Sequence, residues 1–423
     1  MRFIHRAMGL ILGVTVLSTV FVSVAQAVPS FARQTGMACV SCHANNFPAL
    51  NAFGRSFRAQ GYTMRGAADL IEGEGISLPA ELKASLITKL RYQVDGSVDG
   101  GRGEVQWPDE AALLIGGRAS ENIGFLLEAG MGPQEGEGAF HLQDTNGDGV
   151  IDENDEQEVG SDVTGNFLSF KAHFNASDNI AAVLFGTDGL GVGYGMELMN
   201  TGLQRSQRPI ENRAGYSAAQ RLGTASGEAT GLALVYHTNN LMVNYSHWAP
   251  TWGNVNANIL GGLGHYLRVN YFINASGWDM GFGANVMDGS IKVGANDPAE
   301  EVHVASSGVD FQALGEIGSM PAEFYLSYGI APKGSDTARE TYNNSTTDDA
   351  TAYGLLGKLG VTANTSLYAG YGSTDYGSTT ISDATIGLQY MLAQNAKLEL
   401  YNVTSDSGDD ADDYTMLMLF AGF

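Results

Sequence analysis

The chain has 423 residues, a formal net charge of −24 and an apolar fraction of 44%. The negative balance repels nucleic acid and favours cations as partners, and the plentiful apolar and aromatic residues exclude a disordered chain. Glycine is abundant, with 56 residues, whereas proline and cysteine are scarce, with 10 and 2.

Residues 1–27 have the pattern of a secretory signal peptide. Two arginines precede an apolar run that ends at Val24, and the small residues Ala25 and Ala27 supply a cleavage site. Small residues at these positions favour cleavage over an uncleaved anchor. The mature chain would begin at Val28, and the loss of two arginines would leave it with a charge of −26. No later stretch approaches the ~18 apolar residues of a membrane helix, so we expect an exported chain.

The next motif uses both cysteines of the chain, in the order Cys39-Val-Ser-Cys42-His43. In the pattern C-x-x-C-H the two cysteines form thioethers to a haem and the histidine takes one axial position on the iron. A lone disulfide or a redox dithiol would account for the cysteines but not for His43. The motif therefore predicts one covalent haem c. Because haem of this type is attached outside the cytoplasm, the motif also indicates a Gram-negative envelope.

Residues 28–80 predict a small, mainly α-helical cytochrome domain. Asn46 is placed to cap a helix, Pro48 lies in its first turn, and apolar residues recur at helical spacing until Gly61. A domain of this length cannot bury a large core by itself. We expect it to pack against a partner surface, of which the remainder of the chain is the nearest.

For the second axial ligand of the haem iron the sequence offers several candidates. Met64 follows the predicted helix at a distance that would let it fold back over the haem, and methionine opposite histidine raises the haem potential. Otherwise Met64 is a packing residue. Met37 is too close to the attachment site, whereas His173 or His237 could reach the haem if the barrel strands turn them inward.

Four arginines surround the motif in a chain that has few of them: Arg33, Arg55, Arg58 and Arg65. A guanidinium group binds carboxylates through paired hydrogen bonds. We therefore predict that Arg33 and Arg55 contact the haem propionates. Pairing with acidic residues of the barrel interior is an equal alternative, and the two roles are compatible.

Residues 81–423 alternate apolar and polar side chains and predict a porin-like, antiparallel outer-membrane β-barrel of about sixteen strands. The strands are predicted to begin near Ser85, Ala111, Gly124, Asn166, Ile180, Gly231, Leu241, Gly264, Asp279, Val304, Ala322, Ala352, Ser366, Ala384, Lys397 and Tyr414. Short turns are predicted at 120–122, 177–179, 238–240, 274–277, 318–320, 363–365 and 394–396. Longer polar connections lie between them, near 96–108, 132–162, 187–228, 249–262, 288–302, 332–349, 374–380 and 404–412. Short periplasmic turns that alternate with long extracellular loops are typical of such barrels and put both termini on the periplasmic side.

The last predicted strand, residues 414–423, ends on Phe423. Phenylalanine is the usual final residue of an outer-membrane barrel. A soluble β-sandwich or solenoid would have shorter strands and would not place its long loops at every second connection. The barrel is therefore the favoured architecture, with its surface in outer-membrane lipid.

The acidic stretch from Asp144 to Asp155 fits the template of a Ca²⁺ loop, with Gly149 at the sharp turn. The predicted ligands are Asp144, Asn146, Asp148, the Val150 carbonyl, Asp152 and Asp155. Asp155 departs from the template because a glutamate is usual at that place. A solvated acidic loop and an Fe²⁺ site are the alternatives.

The segment from Ala27 to His43 reads A-V-P-S-F-A-R-Q-T-G-M-A-C-V-S-C-H. It closely resembles the signature A-x-P-x-F-A-R-Q-T-G-x-x-C-x-x-C-H of the fused monohaem cytochrome–porins, the outer-membrane Fe(II) oxidases of iron-oxidising bacteria. Every fixed position is present, although the resemblance covers residues 27–43 only. It implies a haem plug in a sixteen-stranded barrel, oxidation of Fe²⁺ at the cell surface, and electron transfer to a soluble periplasmic cytochrome.

Two other functions share these sequence features. One is a cation-selective porin in which the haem only plugs or senses. The other is an electron conduit for a donor other than iron, such as a reduced sulfur compound. Only the resemblance favours iron, because the composition merely permits it.

Overall fold

A computed structural model gives the structure of the chain over most of the predicted barrel and part of the segment before it. It describes residues 30–44, 49–64, 70–71, 78–79, 83–95, 103–131, 167–187, 217–224, 229–250, 263–293, 300–334, 339–340, 342–343, 345–406 and 413–423. The predicted signal peptide, residues 1–27, and the predicted calcium loop, Asp144–Asp155, lie outside these residues.

Sixteen antiparallel strands of the described part form one closed barrel, which confirms the predicted architecture. Four shorter strands lie outside the sixteen: β1 (Leu70–Ile71) and β2 (Leu78–Pro79) pair with each other, and β12 (Glu300–His303) pairs with β15 (Arg339–Glu340). The sixteen are β3 (Ala84–Asp95), β4 (Gly103–Arg118), β5 (Ile123–Gly130), β6 (Phe167–Ser177), β7 (Ile180–Thr187), β8 (Ala229–His237), β9 (Leu241–Pro250), β10 (Gly264–Ala275), β11 (Trp278–Val293), β13 (Ser306–Ile317), β14 (Met320–Ala331), β16 (Ala350–Gly360), β17 (Thr365–Asp375), β18 (Thr380–Ala393), β19 (Ala396–Asp406) and β20 (Tyr414–Gly422).

The barrel closes where its last strand meets its first. β20 pairs with β3 from Tyr414 opposite Asp95 to Gly422 opposite Ile87. We call this pairing the seam. A closed sheet has no free edge, so the strands satisfy each other's backbone hydrogen bonds and can lie in hydrocarbon.

Side chains alternate in the sense expected of a membrane barrel, with apolar groups outside and polar groups inside. On β8 the outward residues Leu232, Leu234 and Tyr236 are 51%, 56% and 42% exposed, whereas Ala233 and Val235 between them are buried. Charged and amide side chains of other strands are buried inside, including Lys89, Arg91, Glu128, Lys171, Asn244, Arg268, Glu323 and Glu399. An apolar outer face on a closed barrel with a polar interior identifies an outer-membrane protein.

Ion pairs neutralise much of the charge that the barrel encloses. Arg268 donates to both carboxylate oxygens of Asp310, at 2.7 and 3.0 Å. Lys89 Nζ lies 2.7 Å from Glu110 Oε2. An enclosed charge without a partner would be costly, and these pairs avoid that cost while filling the lumen.

The two ends of the barrel differ. Seven short connections join strands at one end, which we call the turn end, and β3 begins and β20 finishes at this same end. The opposite end, which carries the long connections and the four-residue turn between β17 and β18, we call the loop end. Short turns face the periplasm in outer-membrane barrels. The turn end, where β3 begins and β20 finishes, is therefore the periplasmic end.

The prediction of a loop over residues 96–108 is wrong in its second half, because β4 already begins at Gly103. Pro108 and the adjacent acids Asp109 and Glu110 favour a loop in the sequence. In the structure the register against β3 shifts beside these residues, and such a bulge accommodates a proline within a sheet. The acids face inward, where Asp109 pairs with Arg91 at 2.5 Å.

Within the described residues, no helix is long and apolar enough to cross a membrane.

The outward faces of β13 and β14 offer a test of the barrel's position in lipid. Leu326, which is 52% exposed, lies midway along the strand, whereas Ile317, which is 46% exposed, lies beside a short turn. We expect Leu326→Arg to lower the free energy of unfolding by ~2–4 kcal/mol and Ile317→Arg by ~0–1 kcal/mol, because the cost of a charge falls towards the interface. Denaturant titrations in lipid vesicles would measure both values. Equal costs at the two positions would contradict the assigned depth.

Candidate functional site

The described residues between 30 and 64 form a plug inside the barrel at its turn end. The plug contains α1 (Ser30–Thr35), a 3₁₀ turn (Cys39–Ser41) and α2 (Ala52–Ala59). It contacts opposite sides of the lumen. The backbone N–H of Ser30 donates to Ser85 Oγ of β3 at 2.6 Å, and Arg55 donates to Asp279 of β11 at 2.7 Å.

The plug helix α2 begins later than the sequence predicted. Its N-cap is Asn51, whose side chain accepts from the backbone N–H of Gly54 at 3.0 Å. Leu50 is still extended and pairs with His43 in an isolated bridge. This bridge keeps Leu50 out of the helix, which begins at Ala52. Asn46 and Pro48, where the sequence predicted the helix to begin, lie outside the described residues.

The predicted haem-attachment motif folds as a tight turn. The backbone N–H groups of Cys42 and His43 both donate to the carbonyl oxygen of Cys39, at 3.0 and 2.9 Å. Side chains three residues apart eclipse each other in a 3₁₀ turn, so the two thiols lie on the same side. Burial raises the pKa of both thiols. A reactive redox dithiol needs the opposite shift, and this argues against that interpretation of the pair.

Cys39, Cys42 and His43 line a cavity between the plug and the barrel wall, with about 1350 Å³ of empty space including the part open to solvent. Most of the lining is apolar. The plug contributes Phe31, Leu50 and Phe57, and the wall contributes Ile87, Leu114, Leu126, Met391 and Phe420.

Two cationic side chains also line the cavity, and they are not the predicted pair. Arg58 of the plug and Lys397 of β19 face it, and both are at most 5% exposed. Lys397 Nζ lies 3.9 Å from Glu399 Oε1 and has no hydrogen-bond partner among the described residues. An ammonium group in this situation is suited to a carboxylate of a bound group.

The two predicted propionate ligands are directed elsewhere. Arg33 donates to the carbonyl oxygen of Ala84. Arg55 pairs with Asp279 and lies over the ring of Phe272, 4.2 Å from its centroid. Arg55 therefore has the alternative role named above: it pairs with an acidic residue of the barrel.

The predicted distal ligand Met64 is not among the residues that line the cavity. It packs against the apolar cluster that contains Phe57 and Tyr62, and its carbonyl oxygen accepts from Gln34 Nε2 at 3.0 Å. His173 and His237 face the lumen, as strand parity predicted, but they do not line the cavity either.

These observations together test whether a haem fits. The cavity has two thiols on one side of a turn, an adjacent histidine, an apolar lining and a buried ammonium group without a hydrogen bond. Each feature matches a part of haem c: its vinyl groups, iron, macrocycle and propionates. The residues present fit the cofactor that the motif predicts.

Two residues of α1 have structural roles that sequence reasoning missed, Phe31 within the plug and Gln34 between the plug and β4. Phe31 stacks on Tyr62, with ring centroids 4.3 Å apart. Gln34 donates to the carbonyl oxygen of Tyr62 at 2.7 Å and accepts from the backbone N–H of Arg118 of β4 at 3.3 Å. Both residues lie at fixed positions of the signature, and this was the sequence signal that could have identified them.

Among the residues that the structure covers, no group of three or more His, Cys, Asp or Glu side chains is placed to hold a metal ion. The predicted calcium ligands Asp144–Asp155 lie outside that part of the chain, and calcium binding stays a prediction.

Searches with family models and against curated proteins gave no match for this chain. Several solved outer-membrane proteins have a similar fold. The chain is similar to a loop-deletion variant of OmpT of Vibrio cholerae (11% identity, 81% of this chain and 99% of that chain, TM-score 0.47). It is also similar to the outer-membrane channel DcaP of Acinetobacter baumannii (10% identity, 81% of this chain and 97% of that chain, TM-score 0.48). A third similar structure is OccK2 of Pseudomonas aeruginosa (10% identity, 80% of this chain and 97% of that chain, TM-score 0.44). The strand register gives the barrel independently of these similarities.

The contact between the plug and β6 generates a prediction with a matched control. Gly61 has φ +64°, and a Cβ added there would lie 2.3 Å from the Cβ of His173. Gly277 has φ +83°, with open space around it. Both alanine variants share a left-handed strain of ~1–2 kcal/mol, but only Gly61→Ala should displace the plug and make residues 30–64 sensitive to protease. Limited proteolysis with mass spectrometry checks this, and equal cleavage of the two variants would mean that the plug is not closely packed on β6.

Proposed function

We propose that this outer-membrane barrel is an oxidoreductase that carries one covalent haem c and transfers electrons from extracellular Fe²⁺ to a periplasmic cytochrome. The observation that supports the proposal most strongly is the shared cavity of Cys39, Cys42 and His43. A haem bound there supplies a one-electron relay, so that each Fe²⁺ oxidised to Fe³⁺ releases one electron that the soluble cytochrome finally accepts.

The residues around the cavity have separate tasks in this proposal. Cys39 and Cys42 form the thioethers, and His43 binds the iron. The apolar side chains of plug and wall limit the access of water. Arg58 and Lys397 offset the negative charge of the propionates, which would otherwise be costly to bury in this lining.

The position of the cavity supports delivery to the periplasm. The plug lies at the turn end, where a soluble periplasmic protein can approach it. The saturated wall of a barrel does not conduct electrons, and a relay held inside the lumen shortens the path from the outer surface. Because Fe³⁺ is insoluble near neutral pH, oxidation outside the periplasm keeps the mineral outside the cell.

The charge of the chain supports a cationic donor. A net charge of −24 raises the local concentration of cations, and this attraction weakens at higher ionic strength. The charge does not select iron among cations. The choice of Fe²⁺ rests on the resemblance of residues 27–43 to the cytochrome–porin signature.

The direct test is stopped-flow absorbance of the haem bands after mixing the oxidised, haem-loaded protein with Fe²⁺. We expect reduction of the haem in the wild-type protein. The Cys42→Ala variant, which has lost one thioether, should contain less covalent haem than the wild type. Its absorbance change on mixing with Fe²⁺ should be smaller in the same proportion. A pyridine haemochrome assay measures the haem content of each sample.

The outcomes separate the alternative functions. A wild-type protein that contains haem but stays oxidised with Fe²⁺ would exclude iron oxidation, and reduction by a sulfur compound instead would indicate another donor. Large ion conductance in planar bilayers, equal with and without haem, would favour a cation-selective porin. Wild-type protein without covalent haem would refute the proposal altogether.

A further inference from the structure

One methionine of the barrel wall lines the same cavity as the predicted haem-attachment motif. Met391 lies near the turn end of β18 and lines the cavity that contains Cys39, Cys42 and His43. Its direction follows from strand alternation. Gln389, two residues earlier, is 2% exposed, whereas Leu388 and Leu392 are 36% and 45% exposed. Met391 therefore has the inward parity of Gln389.

The neighbour of Met391 across the sheet is Lys397, its register partner on β19. The buried ammonium group of Lys397 also faces the cavity and lies 5.4 Å from the centroid of the Phe420 ring. A thioether and an ammonium group thus stand side by side on the wall that faces the attachment motif. This pair would add to what the plug offers a haem: a sulfur ligand for the iron and, beside Arg58 of the plug, a second cation for the propionates.

Few other donors in the cavity compete for the second face of the iron. Apart from the attachment motif, the lining residues with a sulfur or amine donor are Met37, Met391 and Lys397. Met37 is 38% exposed and lies only two residues before Cys39, on the same segment as the thioethers. Lys397 is better matched to a carboxylate, because its protonated amine has no lone pair to offer.

We infer that Met391 supplies the second axial ligand of the haem iron, so that the cofactor joins the plug to the barrel wall. The inference rests on the proposed function, since it requires haem in this cavity. The neutral thioether of Met391 would hold the iron through a sulfur lone pair, with no electron or proton transferred. Histidine–methionine ligation raises the haem potential, which suits an acceptor for Fe²⁺.

The experiment compares four methionine-to-leucine variants of the full, haem-loaded chain: Met391→Leu, Met37→Leu, Met64→Leu and Met418→Leu. Met418 is the packing control, because it is buried on β20 beside the plug but does not line the cavity. Methionine-to-leucine exchanges in a core usually cost less than ~1.5 kcal/mol, so all four proteins should fold. The readouts are haem content, the weak long-wavelength absorption of ferric haem with a methionine ligand, and the midpoint potential.

We expect only Met391→Leu to lose the methionine absorption band and to lower the midpoint potential, with haem content unchanged. Met391→His should restore a low-spin spectrum without that band. Loss of the band in Met37→Leu or Met64→Leu instead, or in none of the four, would overturn the inference. In those cases wild-type protein that still contains haem and is reduced by Fe²⁺ would leave the proposed function intact, whereas wild-type protein without haem would refute both.

Discussion

The pairing of β20 with β3 is the constraint on which the rest of the molecule depends. In hydrocarbon an unpaired backbone group costs several kcal/mol, so a sheet can cross the membrane only when its first and last strands meet. Once the seam is closed, alternate side chains must point into the lumen. The sequence places charged residues there, and the resulting ion pairs create a polar interior that can hold a plug at one end.

The plug is fixed by contacts that allow little displacement. Asn175 of β6 donates to the carbonyl oxygen of Gln60 at 2.9 Å, and a Cβ added at Gly124 of β5 would lie 1.6 Å from the carbonyl oxygen of Gly61. The absence of a side chain at Gly124 is therefore a requirement of docking. On the other side of the lumen, Arg55 and Asp279 form a largely buried pair. Removing one member of a buried ion pair typically costs ~3–5 kcal/mol because the other charge is left alone.

Much of this architecture is predictable because period two and turn chemistry are local properties of the sequence. The turns at Ser177-Asp-Asn179 and Gly318-Ser-Met320 fix the strand boundaries beside them to within about two residues. The start of β4 was missed because Asp109 and Glu110 look like loop residues until their partners on β3 are known. Cys39, Cys42 and His43 could be predicted as a haem site from the sequence because the two cysteines and the histidine stand at the spacing of a haem-attachment motif. Met391 and Lys397 could not be found, since they share a cavity with the motif although about 350 residues separate them from it in the chain.

The cavity wall has a consequence for the assembly of the protein. Phe420 and Gly422, which line the cavity, belong to the strand that closes the seam, while Ser85 and Ile87 belong to the strand that receives it. The surroundings of any chromophore in the cavity are therefore complete only when the first and last strands have met. Its spectrum would act as a built-in reporter of barrel closure, so that the folding of the transmembrane sheet could be followed optically without an added label.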